Sequence, residues 1–466
     1  MQINNPVSNI AKMFISREQS PWTLRPKVSV ASLQCEREKD IARLWADTPS
    51  TLSISANRTS YGDCCIPVEG GVSLETTKWA QILDADWEAG VVEVRPGVTL
   101  RDLAEVCLPK GWFFGASPGT MKSTIGGCVA CDVHGKNHHG GGSFGNWVDE
   151  IELVGAGGEA KKCSPTQLPE LFWASVGGLG HTGIISRVRL RLQKVRTGWI
   201  RSTTVATRSF DETAAAIEAD SASTYSVSWI DSLACGRNMG RGVVMLGEHA
   251  DAGEVDALKL PRYLERPRRE ISIPFTPPNW ASPPVLWRTF NEAYHTLARA
   301  KAGTSMVPVF SYFCPLDGVR NWNVVYGRRG FLEYQFAVPL KGGLEVCRKV
   351  CERLASTDNG SFLAVIKKFG PPNFGPLSFP IEGYTLAVDM PYRGVEQEKL
   401  LRQLDELVAE SGGRIYLVKD TRLPSDWIPI MYPRLGEWRE IVNRNDPSFR
   451  FSNHQTARLD LRGMKR

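Results

Sequence analysis

The chain has 466 residues, 42% of them hydrophobic and 23% charged, which excludes a largely disordered polymer and leaves room for two or three domains of roughly 100–200 residues each. Its 56 basic and 50 acidic residues give a net charge of +6 without any basic tract, which suits an anionic ligand or a membrane surface and argues against nucleic acid as a partner. Eleven irregularly spaced cysteines, an N-terminus without an apolar stretch behind a basic flank, and the lack of ~18 continuous apolar residues lead us to expect a cytoplasmic protein with free thiols, whose membrane contact is peripheral.

In chain order, a helix is expected from Glu36 to Ala46, with Ile41 and Leu44 on one face. The apolar stretch Leu52-Ser53-Ile54 runs into a turn-rich loop from Asn57 to Asp63, and Val91 to Gly97 reads as a strand and turn. Thr99 is placed to cap the next helix with Asp102 at its third position, so that Leu100, Leu103 and Val106 face the core. Farther on, Ile151 to Val154, a turn at Gly157-Gly158 and a basic segment predict a hairpin. From Ile184 to Leu192 the side chains alternate, with Val188, Leu190 and Leu192 on one face and Arg187, Arg189 and Arg191 on the other, as in a half-buried strand of a mixed or antiparallel sheet. Residues from about 200 to 410 are richer in aromatics and prolines. A helix from Val395 to Ala409 carries Leu400, Leu404, Leu407 and Val408 on one stripe and stops near Gly412-Gly413. A strand from Arg414 to Val418 then delivers Lys419.

The densest signal is the run from Pro118 to Asn146, PGTMKSTIGGCVACDVHGKNHHGGGSFGN, with eight glycines. Glycine lets the backbone approach a diphosphate, and successive amide N–H groups can form an anion nest. The run is no Rossmann fingerprint, since no G-x-G-x-x-G follows a clear strand, and no P-loop, since no Gly-Lys-Ser/Thr closes it. Composition alone leaves a structural loop as the lesser alternative. Cys128, Cys131, His134 and His138 have spacings that zinc uses, but they share one short piece instead of two separated arms, so no metal is expected. Cys128 and Cys131 lack the thioredoxin-like setting of a redox pair.

With RTSYGD (58–63) as a first loop and the glycine run as a second, the chain resembles the FAD-linked oxidases of the vanillyl-alcohol oxidase class. The strip from Leu171 through Gly178, His181 and Gly183 to Ile185 fits the same class. Within it, ACDVHGKNHH, GSFGN, ELFWASVGG, GFLEYQF (330–336), KKFGPPNFGPLSFP (367–380), YLVKDTR (416–422) and MYPRLGEW (431–438) are similar to one branch, the decaprenylphosphoryl-β-D-ribose 2′-oxidases of arabinan biosynthesis. The segment from about 205 to 300 is much less similar. The resemblance implies an α+β fold: a two-part FAD-binding domain (residues 1–200 and 412–466) with an inserted α+β substrate domain (201–411) built on an antiparallel sheet.

The resemblance also implies the site. Cofactor contacts fall on Ser60, Tyr61 and Gly62 of the first loop and on Gly119, Thr120, Thr124, Gly126 and Gly127 of the second. They continue through His134, Gly135 and Asn137, then Gly183 and Ile184, and end on Lys419. Lys419, Tyr61 and His134 are the catalytic candidates; Gln335, Lys367 and Thr385 are the substrate-binding ones. Lys419 would balance charge on the flavin or act as base, and Lys367 would bind a phosphate as a point charge, although lysines at such positions are more often solvated. Many relatives hold FAD covalently through a histidine in the first loop; this loop has none, so non-covalent FAD is expected. Where the branch usually carries Asn and Cys, this chain has Thr385 and Ala387, so nitroaromatic inhibitors that attack that cysteine should form no adduct.

The expected reaction is oxidation of a secondary sugar hydroxyl to a ketone, at the 2′-hydroxyl of a polyprenylphosphoryl-β-D-ribose. An NAD(P)H-dependent reductase partner would complete an epimerisation to arabinose, with quinone or oxygen as electron acceptor. Oxidation of another sugar, alditol, lactone or nucleoside hydroxyl is the alternative, and a flavin-binding protein without turnover is a third.

Overall fold

The computed structural model describes residues 15–37, 41, 51–220, 222–263 and 270–464. The helix expected from Glu36 to Ala46 lies, apart from Glu36, Arg37 and Ile41, outside them. The fold is α+β: among the described residues two smaller sheets are built from the first two hundred residues, and a large sheet and a short parallel pair, Ile271–Ser272 with Val319–Arg320, from the rest.

The first sheet is mixed and four-stranded, in the order Ile15–Gln19, Val28–Gln34, Val72–Glu75, Leu52–Ser55. Its inner face buries Leu33, Leu52, Val72 and Leu74 with Trp79, Ile184 and Phe451. The second sheet is antiparallel, in the order Ile82–Asp86, Val91–Val94, Ile184–Lys194, Val148–Val154, Ala160–Cys163, and Trp112–Phe114 pairs with the far end of Ile184–Lys194. The alternation read from Val188, Leu190 and Leu192 is this sheet's buried face, while Arg189 and Arg191 are exposed. The hairpin turns at Gly158, whose φ of +86° suits glycine.

Helix Leu100–Cys107 begins with the expected capping box between Thr99 and Asp102. Val106, expected in the core, is 41% exposed; it lies at the edge of the buried stripe that Leu100, Leu103, Ala104 and Cys107 form.

The large sheet has eight strands, antiparallel throughout: Gly303–Pro308, Trp199–Thr207, Gly242–His249, Tyr225–Ile230, Ala364–Phe369, Gly383–Pro391, Phe331–Pro339 and Arg414–Ile415. Period-two geometry divides its side chains. Tyr334, Phe336, Ile366, Leu386 and Val388 are buried on the side where helices Leu340–Ser356 and Val395–Glu410 lie against strands Phe331–Pro339 and Gly383–Pro391. Glu333, Gln335, Val365, Lys367, Ala387 and Asp389 form the opposite face, the floor of a cavity.

One expected boundary shifts. The strand from Arg414 to Val418 stops at Ile415, and a 3-10 turn, Leu417–Lys419, carries Lys419 instead. The glycine run is not all loop: Thr124 caps a short helix, Ile125–Ala130, with its hydroxyl accepting from Gly127 N–H.

Candidate active site and cofactor cavity

One cavity of about 500 Å³ lies between the floor of the large sheet and the two loops singled out by sequence. The loops are tied to each other directly: Asn57 Nδ2 donates to Lys122 O at 2.7 Å, and the Thr59 and Ser123 hydroxyls lie 3.1 Å apart. Arg58 turns the first loop with a left-handed φ of +49° and anchors its guanidinium on Glu75 at 3.1 Å.

The first loop is also bonded to the C-terminal segment. Gly62 N–H donates to Val418 O at 2.7 Å, and a Cβ at Gly62 would fall 2.6 Å from Asp420 O, so only glycine fits. Next to it, buried Asp63 accepts from Arg458 at 2.9 and 3.0 Å and pairs with His454 at 2.7 Å, while Arg458 also reaches Asp420 at 2.8 Å. Burial opposes the charge on Asp63, but the His454 and Arg458 hydrogen bonds outweigh it and hold the carboxyl below its usual range. This network sets Lys419, the residue before Asp420, against Tyr61, the residue before Gly62: the Lys419 ammonium lies 3.5 Å from the Tyr61 ring centroid.

The second loop has two buried anchors. Asp317 accepts from Thr120 Oγ1 at 2.7 Å and Met121 N at 2.8 Å. Asp132 accepts from Gly145 N at 3.0 Å, Asn373 Nδ2 at 2.7 Å and Ser378 Oγ at 3.1 Å, which fastens the loop to the segment following Ala364–Phe369.

The backbone along these loops has room for an anion. A Cβ added at Gly119 meets nothing within 4 Å, and one at Gly127 meets only Thr124 Oγ1 at 3.1 Å. Among the described residues, the backbone N–H groups from Arg58 to Tyr61 find no protein acceptor. Close backbone approach with unclaimed donors is what a diphosphate requires, and the residues present therefore fit the phosphate portion of FAD.

Of the cofactor-contact residues inferred from sequence, Ser60, Tyr61, Gly119, Thr120, Thr124, Gly126, Gly127, His134, Gly135, Gly183 and Lys419 line the cavity. Gly62, Asn137 and Ile184 do not. Gly62 supports the loop from behind. Asn137 is turned away, its amide donating to Gly115 O. Ile184 is fully buried with Val154 and Trp79, and it is Ile185, the next residue along the strand and hence on the opposite face, that lines the cavity.

Gln335 and Lys367 line the cavity as well, but Thr385 lies beneath its surface. The Thr385 hydroxyl donates to Phe336 O at 2.8 Å and accepts from Gln335 Nε2 at 3.2 Å. The same Gln335 nitrogen lies 3.1 Å from His134 Nε2. Both amide hydrogens are thus committed, leaving carbonyl Oε1 as the group Gln335 can offer a ligand hydroxyl. Burial, with Lys367 second, pushes His134 well below its ordinary range, so its ring is a neutral hydrogen-bonding group. Burial also brings Lys367 down to about 8.

Glu333, Asp389 and Lys136 also line the cavity and were not singled out from sequence. Glu333 Oε2 is 3.0 Å from Lys419 Nζ, and Asp389 accepts from Tyr326 Oη at 3.4 Å. Both were detectable as charges in otherwise apolar strands, each two residues from a singled-out position (Gln335, Ala387). Lys136 lies inside the glycine run, and burial brings it down to about 7. Among the described residues no three His, Cys, Asp or Glu side chains are grouped to hold a metal ion: Cys128 is in the core, and His138 Nδ1 accepts from Gly370 N at 3.2 Å.

Residues 31–164 match the FAD binding domain family. The chain is 35% identical over 410 residues to decaprenylphosphoryl-beta-D-ribose oxidase of Mycolicibacterium smegmatis, covering 86% of this chain and 87% of that one. It is 33% identical over 381 residues to an uncharacterized protein in the mprA 5′ region of Streptomyces coelicolor, covering 78% of this chain and 100% of that one. Cytokinin dehydrogenase 8 of Oryza sativa subsp. indica is 36% identical over 115 residues, 24% of this chain and 21% of that one. Long coverage at this identity, over a cavity whose two loops fit a dinucleotide, identifies an FAD-dependent oxidoreductase: the chain belongs to the vanillyl-alcohol-oxidase-type FAD-linked oxidases, in the family that contains decaprenylphosphoryl-β-D-ribose oxidase.

Proposed function

We propose that this enzyme oxidises the 2′-hydroxyl of a polyprenylphosphoryl-β-D-ribose to a ketone, the first half of an epimerisation that an NAD(P)H-dependent reductase completes. The observation that carries this reading is the cavity, where Lys367 and Gln335 of the floor and Lys419 of the neighbouring 3-10 turn share one space with the cofactor loops. FAD, held without a covalent bond, supplies the hydride acceptor. Lys367 offers a buried cation for the substrate phosphate. The Gln335 carbonyl accepts from a sugar hydroxyl, with Thr385 and His134 fixing its amide. Lys419 is ion-paired with Glu333 and seated on the Tyr61 ring, and we assign it charge balance and not proton abstraction. We assign residues 1–200 and 412–466 to the cofactor domain and 201–411 to the inserted one; the large sheet, from Trp199 to Ile415, supports this division within a few residues.

Anaerobic mixing with farnesylphosphoryl-ribose should bleach the flavin, while ribose 5-phosphate, alditols and nucleosides should not. Bleaching by a soluble sugar alone would replace this substrate with the second reading, which the change to Thr385 and Ala387 favours. Acid precipitation should release the yellow colour into the supernatant; colour kept in the pellet would contradict non-covalent FAD.

No helix among the described residues is long and apolar enough to cross a membrane. Peripheral contact is supported by helix Pro284–Ala300, where Leu286, Phe290 and Leu297 share one exposed face and Trp280, just before the helix, is 81% exposed. Phe290 also lines the cavity, so a lipid chain leaving the cavity would meet this apolar face. Co-sedimentation with phosphatidylglycerol vesicles, lost on Trp280→Ser with Leu297→Ser, is the expected result.

A further inference from the structure

Strands Phe331–Pro339 and Gly383–Pro391 pair antiparallel with Glu333 directly opposite Asp389. Both side chains face the cavity, Glu333 at 9% exposure and the Asp389 residue at 1%. Directly opposed residues have Cβ atoms about 4.5–5.5 Å apart, and two like charges there repel. The cations available are unequally shared. Lys419 sits on Glu333 at 3.0 Å, whereas Asp389 has the Tyr326 hydroxyl at 3.4 Å, itself 3.0 Å from Ser361 Oγ. Tyr61 and Lys367 also face this corner, and Asp317 acts on Tyr61 from the same cavity. Burial first, then the Glu333 charge, drives Asp389 well above the carboxylate range.

We propose that Glu333 and Asp389 form a proton-sharing carboxyl pair that accepts the substrate's hydroxyl proton. This rests on the reading of the reaction as alcohol oxidation. The substrate O–H bond breaks with its proton passing to a Glu333 carboxylate oxygen, the carbinol C–H bond breaks with its electron pair leaving as hydride to the bound flavin, and the C=O bond forms. The alcohol is oxidised and the flavin reduced by two electrons, with no other oxidant involved. Neutralising Glu333 would strip Lys419 of its counter-ion as the flavin takes up negative charge with the hydride, so one proton transfer would turn a structural ion pair into a charge-balancing cation. Glu333 is the catalytic member, and Asp389, by holding the resting proton, positions and tunes it.

Two measurements on the holoenzyme test this. Infrared spectra at pH 7 should show the C=O stretch of a buried protonated carboxyl, shifted in D2O and missing in Asp389→Asn; no such band, or one that survives that substitution, overturns the shared proton without reference to any substrate. In anaerobic stopped flow with farnesylphosphoryl-ribose, Glu333→Gln keeps a hydrogen-bond acceptor for Lys419 but cannot take a proton, and flavin reduction should slow by roughly 10²–10⁴-fold. Its FAD content should be unchanged, and Glu333→Asp should recover part of the rate. Wild-type reduction rates in Glu333→Gln would overturn the assignment. If farnesylphosphoryl-ribose fails to reduce the wild type, the substrate reading falls, and the same variants are compared on whichever alcohol bleaches the flavin.

Discussion

The two walls of the cavity are built on opposite principles. The cofactor wall is backbone: loops whose glycines leave space, whose turns need φ values such as the +49° of Arg58, and whose positions are fixed from behind by Asp63, Asp132 and Asp317. The substrate wall is side chain: alternate residues of four antiparallel strands pointing off a rigid sheet braced by two helices. Change on the first wall should therefore act through geometry and cofactor occupancy, and change on the second through chemistry with the cofactor still in place. The difference follows from what each ligand needs. A diphosphate is recognised by many equivalent N–H groups, whereas a hydroxyl to be oxidised must meet particular titratable groups at particular places.

A large effect is expected at the seam where the walls meet. Lys419→Ala removes the ammonium that Glu333 and Tyr61 hold in the cavity, and flavin reduction should slow by roughly 10²–10³-fold, the usual loss for a preorganised charge. FAD should remain bound, because the loop network around Asp63 and Arg458 is untouched. If cofactor and activity are lost together, Lys419 belongs to the cofactor wall and the contrast fails there.

Gly62→Ala makes the opposite prediction. Its Cβ would lie 2.6 Å from Asp420 O and 2.8 Å from Val418 O, both backbone atoms that cannot swing away. The cost should be about 1–3 kcal/mol, as for other overpacked sites, seen as a lower unfolding temperature and a lower ratio of FAD to protein. The molecules that still carry FAD should be reduced at nearly the normal rate.

How much of each wall was legible in the sequence follows the same division. The cofactor loops are local: RTSYGD and the glycine run show their turn chemistry within short segments, and tying Asn57 to Lys122 and Thr59 to Ser123 needed only that the loops be paired. Ile184 was assigned to the cavity and Ile185 belongs there, because a one-residue change of facing in a strand exchanges core for ligand and the apolar pattern fits either. The substrate wall depends on register between distant strands. That Glu333 opposes Asp389 is a statement about pairing, and nothing local to GFLEYQF or to the strand of Thr385 announces it. Thr385 was read as a substrate contact from its place in that strand, yet Gln335 and His134 cover it. Lys419 was expected at a strand end, and the 3-10 turn that carries it forms where Tyr416 Oη reaches Cys131 O at 2.9 Å and Tyr416 stacks on Phe379.

Lys367 separates the walls by pH. Its ammonium titrates at about 8 in the cavity against an ordinary 10.5, so below pH 8 the site presents a cation and above it a neutral amine. The Michaelis constant for a phosphate-bearing substrate should rise as pH passes through 8, with kcat little changed. Lys367→Met should give roughly the tenfold weaker binding that ~1.4 kcal/mol represents and abolish that pH dependence. Stability should move the other way. Between about 8 and 10.5 the unfolded chain binds more protons at this residue than the folded one, so the penalty of the buried ammonium, full below 8, is relieved as pH rises across that window.

The smallest effect on turnover, and the sharpest test of the substrate wall, is at Ala387. It opens on the cavity at 8% exposure, in register with Gln335 on one side and Val365 on the other. A methyl group there can neither donate nor accept a proton, so the reaction cannot depend on a thiol at this position. The native enzyme should therefore gain no mass on turnover with a nitroaromatic inhibitor of the family. Ala387→Cys adds only a sulfur atom on the cavity side, and oxidation of the natural substrate should stay within about twofold, the small effect usual for a change that removes no partner. The new thiol should acquire a covalent adduct visible by mass spectrometry. An adduct on the native chain would place one of its own thiols, Cys64, Cys65 or Cys131 on the cofactor wall, within reach of the reduced inhibitor, and would show that the two walls share a reactive face.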